Sequence, residues 1–127
     1  PVKGADQLLR AVARLADPVD LRIAGDGPER DRLMALARAL GVDVTFEGWV
    51  KGARKEALLR ACDALVVPSR GDEGLPTVLF EARARALPIV ATRVGAIGNA
   101  LEPGSRVRLV PPDDPGALCH AIDALRA

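Results

Sequence analysis

Short apolar runs recur along this chain at intervals of about twenty residues, and that rhythm constrains the fold more than any other feature. They occupy 21–25 (LRIAG), 44–48 (VTFEG), 64–69 (ALVVPS), 88–92 (PIVAT) and 106–111 (RVRLVP). The segments between them carry apolar residues at helical spacing. Residues 5–16 put Leu8, Val12 and Leu15 on one face. Residues 28–40 open at Pro28, hold Glu29 and Asp31 in the first turn, and stop at Gly41. Residues 53–62, 76–86 and 115–126 predict three more helices. Strands alternating with helices imply βαβ units and a parallel sheet covered on both faces. The runs ALVV and PIVA lack polar alternation, as strands buried on both sides should. The expected fold is α/β, a doubly wound parallel sheet of Rossmann-like type. Such sheets take ligands at the carboxyl ends of their strands, so the loops after the runs are where function is sought.

The 127 residues suffice for a single domain, 1–127, with one core. Pro1-Val2-Lys3-Gly4 leads straight into a helix, so a first strand is expected upstream and the domain is expected to be cut from a two-domain protein. Lys and Arg number 18 against 17 acids, a balance that argues against a nucleic-acid partner. Trp49, Phe46 and Phe80 are the whole aromatic complement, too few for a base-stacking platform. No apolar run approaches the ~18 residues of a membrane span. A cytoplasmic setting without direct membrane contact is expected of this domain. Cys62 and Cys119 fall on separate predicted helices without metal-type spacing and are expected to be reduced thiols acting as small apolar residues. No metal site is expected, and Asp113-Asp114 is expected to be solvated in its Pro-rich turn. His120 is expected to be a surface or half-buried residue, not a catalyst.

Two loops compete for a ligand. Gly25-Asp26-Gly27-Pro28-Glu29-Arg30 partly matches the dinucleotide fingerprint G-x-G-x-x-G, and Glu47 stands where a ribose-binding acid would be sought. However, Arg30 replaces the third glycine, and Asp26, Glu29 and Asp31 would repel a pyrophosphate. A tight turn without ligand contacts and a nucleotide contact of another kind both remain open there.

The second loop, Arg70-Gly71-Asp72-Glu73-Gly74-Leu75, leads into a helix with Pro76 at its first position. The N–H groups of Thr77, Val78 and Leu79 then lack partners inside the helix. No acid precedes Glu81 in that first turn, so the helix start is a candidate anion seat. Glu81 could accept hydrogen bonds from ribose hydroxyls, and Glu73 from a second polyol. Two solvated glutamates, or paired carboxylates hydrolysing glycosides, are the alternatives.

Glu73 and Glu81, with seven residues between them, resemble the E-x7-E signature of retaining GT-B glycosyltransferases, glycosyltransferase group 1 (family 4) type. The likeness continues through 3–15 (KGADQLLRAVARL), 23–42 (IAGDGPERDRLMALARALGV), 44–50 (VTFEGWV), 61–69 (ACDALVVPS), 81–92 (EARARALPIVAT) and 110–122 (VPPDDPGALCHAI). The resemblance implies the C-terminal, donor-binding half of a GT-B fold, whose partner half binds the acceptor. It implies Lys3 at the donor diphosphate and main-chain approach at Gly25 and Gly27. It places Gly48, Trp49 and Val50 at the base. Glu73 would hold the sugar, helped by Gly74, Leu75 and Pro76, with Val78 and Leu79 at the diphosphate and Glu81 at the ribose. Lys3 and Glu73 would be the catalytic residues. No metal or other cofactor is implied, and membrane docking, where it occurs in the family, belongs to the missing N-terminal acceptor domain. Departures fall at Asn99, where a carboxylate is usual, and at Val107 and Ala86, where glycines are common.

The expected function is binding of a nucleotide-sugar donor for retaining glycosyl transfer, with little activity in the absence of the acceptor domain. A degenerate, non-catalytic nucleotide-binding module is the alternative, and a dinucleotide-binding oxidoreductase domain a more distant one.

Overall fold

The computed structural model of the protein describes residues 4–25, 27–70, 77–100 and 106–126. In chain order the elements are α1 (Ala5–Ala13), β1 (Leu21–Ala24), α2 (Arg30–Leu40), β2 (Val44–Gly48), α3 (Gly52–Ala61), β3 (Leu65–Val67), α4 (Thr77–Ala84), β4 (Ile89–Thr92), α5 (Gly95–Ala100), β5 (Val107–Val110) and α6 (Pro115–Arg126). Each apolar run contains a strand, and every strand pair is parallel. The strands form two sheets, β1–β2 and β3–β4–β5, and among the described residues β1 and β3 do not pair with each other.

One core cluster spans both sheets. Leu8 and Ala11 of α1 meet Leu118 and Ala121 of α6 over Val90 and Val110, and Leu21 of β1 and Val66 of β3 pack against the same cluster. The opposite face of β3–β4–β5 is closed by Leu79 and Ala82 of α4 and Ile97 of α5, over Val67, Ile89 and Ala91. Successive side chains of a strand point to opposite faces. Ile89 and Ala91 therefore look to α4 and α5 while Val90 looks to α1 and α6, which leaves all of β4 buried.

The helix boundaries correct several expectations. α1 ends at Ala13. α2 starts at Arg30, so Pro28 and Glu29 lie in the preceding turn and Asp31 is the acid of the first turn. Gly95–Ala100 form α5, a helix not among those predicted from the sequence. Its two glycines disfavour a helix, but Ile97 is buried against β4 and the Ile97 N–H donates to the Val94 carbonyl at 3.1 Å. Packing decides this short helix, not propensity. Asp113-Asp114 is not simply solvated. Asp114 Oδ1 accepts the Ala117 N–H at 2.9 Å and caps α6, with Pro115 at its first position. Asp113 sits at φ 55° and is bonded to Arg70.

Two helices end in the same hydrogen-bonded turn. In α2 the N–H groups of Gly41 and Val42 reach the carbonyls of Arg38 and Ala37; in α4 those of Ala86 and Leu87 reach Arg83 and Ala82. This is the Schellman arrangement, whose first residue past the helix is left-handed. Gly41 takes that conformation at φ 72°, and Ala86 is forced into it at φ 54°.

Candidate functional site

The carboxyl edge of the strands gathers several of the residues singled out from the sequence. At β1 and β2 the register slips between Ile23 and Ala24, so that Ala24 pairs with Gly48 and Glu47 is bulged out. The Gly25 N–H then donates to the Gly48 carbonyl at 2.6 Å. Both glycines hold positive φ, 109° and 70°, which side-chain-bearing residues rarely adopt. A Cβ on either would meet no atom of the described residues within 4 Å, so the requirement is conformational. Trp49 follows with 70% of its surface exposed, Val50 is half-buried, and Gly27 is exposed.

Glu47 is not available as a ribose acceptor. Arg22 Nη1 donates to its Oε1 at 3.0 Å and Arg54 Nη2 to its Oε2 at 3.1 Å. The hydrogen bonds from Arg22 and then Arg54 hold its carboxyl below the usual carboxylate range. This removes the acid that favoured a dinucleotide site.

At the end of β3, Ser69 is buried and its carbonyl accepts the Thr92 hydroxyl. Arg70 bonds Asp6 of α1 through Nη2 at 2.6 Å and Asp113 of the β5–α6 turn through Nε. Burial alone would raise the Asp6 pKa, but the hydrogen bond and charge of Arg70, with the main-chain N–H groups of Asp6 and Gln7, outweigh it and lower the carboxyl below its ordinary value. Gly4, at the start of α1, is pressed against the same strand end: a Cβ there would fall 1.8 Å from the Pro68 carbonyl oxygen. The carboxyl ends of β3 and β5 and the start of α1 are thereby tied together.

α4 has no acid in its first turn. Thr77 is exposed, Val78 half-buried and Leu79 buried, so the helix is seated by Leu79 while its start stays accessible. Glu81 is half-buried, and its Oε1 lies 2.7 Å from Lys55 Nζ. Lys3, Glu73, Gly74, Leu75 and Pro76 lie outside the described residues.

Sequence reasoning missed Lys55 and Arg70. Their partners are 26 residues away (55 to 81), and 64 and 43 residues away, so no local motif announces them. Cys62 and Cys119 are unpaired thiols. Burial, with the Asp63 charge, pushes the Cys62 thiol up. His120 is exposed, and Cys119 packs against the α1–α6 core. Val107 is a strand residue paired with Ile89 and packed on the α4–α5 core, so its departure from glycine is a matter of packing. Among the described residues no group of three or more His, Cys, Asp or Glu could hold a metal, and no helix is long and apolar enough to cross a membrane.

Parallel strands, helices on both faces and an open carboxyl edge define a Rossmann-like α/β domain. The chain belongs to the glycosyl transferases group 1, whose family model matches residues 1–127. It is 38% identical over 128 residues to a phosphatidyl-myo-inositol mannosyltransferase of Mycobacterium leprae, an alignment covering 98% of this chain and 34% of that protein. Sucrose-phosphate synthase from Thermosynechococcus elongatus superposes with a TM-score of 0.88 at 30% identity, over 98% of this chain and 33% of that one. Anabaena Alr3699/HepE in complex with UDP-glucose does so with a TM-score of 0.87 at 28% identity, over 97% and 35%. The chain thus spans about a third of the length of each of these three relatives. Its fold matches the C-terminal, Rossmann-like half of the GT-B glycosyltransferases.

Proposed function

We propose that this domain binds a nucleotide-sugar donor for retaining glycosyl transfer to an acceptor held by a separate N-terminal domain. The observation that carries the reading is the accessible, acid-free start of α4 at the carboxyl edge, with Glu81 on its second turn. A helix start of this kind attracts an anion, because its N–H groups and dipole point outward. The start of α2 contrasts with it: Glu29 and Asp31 flank that end and oppose a phosphate.

In this reading Thr77, Val78 and Leu79 offer main-chain N–H groups to the diphosphate, and Lys3 adds a positive charge. Glu81 accepts the ribose hydroxyls. Gly25, Gly27 and Gly48 let main chain approach the nucleotide, with Trp49 and Val50 at the base. Glu73, with Gly74, Leu75 and Pro76, holds the sugar. Catalysis is then positional and electrostatic: fixed donors stabilise the charge that develops on the departing diphosphate while Glu73 orients the sugar. No metal is required in this scheme. The UDP-glucose held by Anabaena Alr3699/HepE supports the donor class.

Titration with UDP, GDP and ADP tests the reading. At least one should bind, and Glu81→Ala should weaken it about 10- to 100-fold, the range for losing hydrogen bonds to a charged group. Glu73→Ala should weaken only the corresponding nucleotide sugar. Equal losses for nucleotide and nucleotide sugar would defeat that division of roles, and no binding by the wild type would defeat the donor reading altogether.

A further inference from the structure

The first turn of α3 touches both sides of the proposed nucleotide seat through adjacent residues. Arg54 Nη2 donates to the Glu47 carbonyl at 2.8 Å and to Glu47 Oε2 at 3.1 Å, next to Gly48 and Trp49. Lys55 Nζ lies 2.7 Å from Glu81 Oε1. The next residue, Glu56, pairs with Arg85, just past the end of α4, and with Arg60 of its own helix. Only Leu59 of α3 is buried.

The Lys55–Glu81 pair is about one-third exposed, with side-chain exposures of 32% and 34%. Pairs this exposed contribute little to stability. Their effect is local: the ammonium fixes the Glu81 carboxylate through Oε1, and among the described residues Oε2 is left to a ligand. Arg54, the adjacent residue, holds the Glu47 main chain beside the glycine turn where the base would lie.

We propose that Lys55 is a positioning residue for ribose recognition, acting through Glu81 and not on the phosphates. This rests on the donor-binding reading above. Its consequence is specific to the sugar hydroxyls: replacing Lys55 should weaken a ribonucleotide and leave a nucleotide without those hydroxyls unchanged.

The test is calorimetric titration of the intact protein with UDP, GDP and ADP and with their 2′,3′-dideoxy counterparts. Lys55→Met should raise the Kd of the ribonucleotide about fivefold, within the range of coupling between contacting residues. It should leave the dideoxy nucleotide within about twofold, and Lys55→Arg, which keeps the charge, should stay near wild type. In a Glu81→Gln background Lys55→Met should have no further effect. Equal weakening of both nucleotides would assign Lys55 to the phosphates and overturn the proposal, as would an unchanged Kd for both. If wild type binds none of the six ligands, the donor reading itself falls. If it binds but Glu81→Gln has no effect, the ribose role of Glu81 falls first. A melting curve of Lys55→Met that overlays wild type separates these results from misfolding.

Discussion

The β1–β2 sheet and the β3–β4–β5 sheet come from the same strand–helix alternation, yet they bury it differently. β1 alternates half-buried and exposed residues, whereas all of β4 is buried. The difference follows from position. β4 is a central strand with helices on both faces, whereas β1 pairs only with β2, and β2 pairs only with β1 among the described residues. The well-packed sheet carries α4, whose start is the proposed anion seat. The less buried sheet carries the positive-φ glycines at 25 and 48. Preorganised donors need a rigid support, whereas close main-chain approach needs only missing side chains. α3 joins the two through Arg54 and Lys55.

The sharpest way to break this comparison is a matched pair of truncations. Ile89→Ala in β4 should cost about 2–5 kcal/mol, the range for deleting a fully buried side chain to alanine. Ile23→Ala in β1, where the side chain is half-buried, should cost about 1 kcal/mol on the basis of area removed from water. Urea unfolding of both variants measures the gap, and equal losses would mean that the sheets are equally well packed.

A smaller effect of opposite sign is expected at the two Schellman turns. Ala86→Gly should stabilise the chain by about 1 kcal/mol, because it relieves a left-handed alanine. Gly41→Ala should destabilise by about the same amount for the same reason. Thermal melts check both. If Ala86→Gly destabilises, the α4 turn gains more from the alanine's stiffness in the unfolded chain than it loses to strain.

The smallest effect is on pH dependence. Asp6 titrates below its ordinary value when folded, because burial, which raises it, is outweighed by Arg70 and the main-chain N–H groups of Asp6 and Gln7. The stability it contributes is therefore fully present above the unfolded carboxylate pKa and is lost as the pH falls through the lowered folded value. Asp6→Asn should flatten the acid limb of the stability profile and leave the neutral region's slope unchanged. An unchanged acid limb would show that the Arg70 pair is silent in solution.

Much of this was legible in the residues. The spacing of LRIAG, VTFEG, ALVVPS, PIVAT and RVRLVP carried the strand order along the chain, because a parallel strand buried on both faces must be a short apolar run. Gly41 and Pro115 marked helix ends for equally local reasons. Glu81 and the acid-free start of α4 could be placed because helix-terminus electrostatics depend on a few consecutive residues. α5 could not be placed that way. Gly95 and Gly98 argue against a helix, and it took the burial of Ile97 to make one. The roles of Asp113 and Asp114 were equally hidden, one bonded to Arg70 and the other capping α6.

The sequence by itself determined the alternation of strands and helices, the edge where a ligand would sit and the family to which the chain belongs, since all of these depend on local pattern. Only the tertiary structure decided which charges meet. It took Glu47 out of consideration by giving it to Arg22 and Arg54, put Lys55 on Glu81, and closed Arg70 onto Asp6 and Asp113. A side-chain ion pair forms wherever folding brings two long, flexible side chains within reach. Residues tens of positions apart carry no periodicity or spacing that records the encounter.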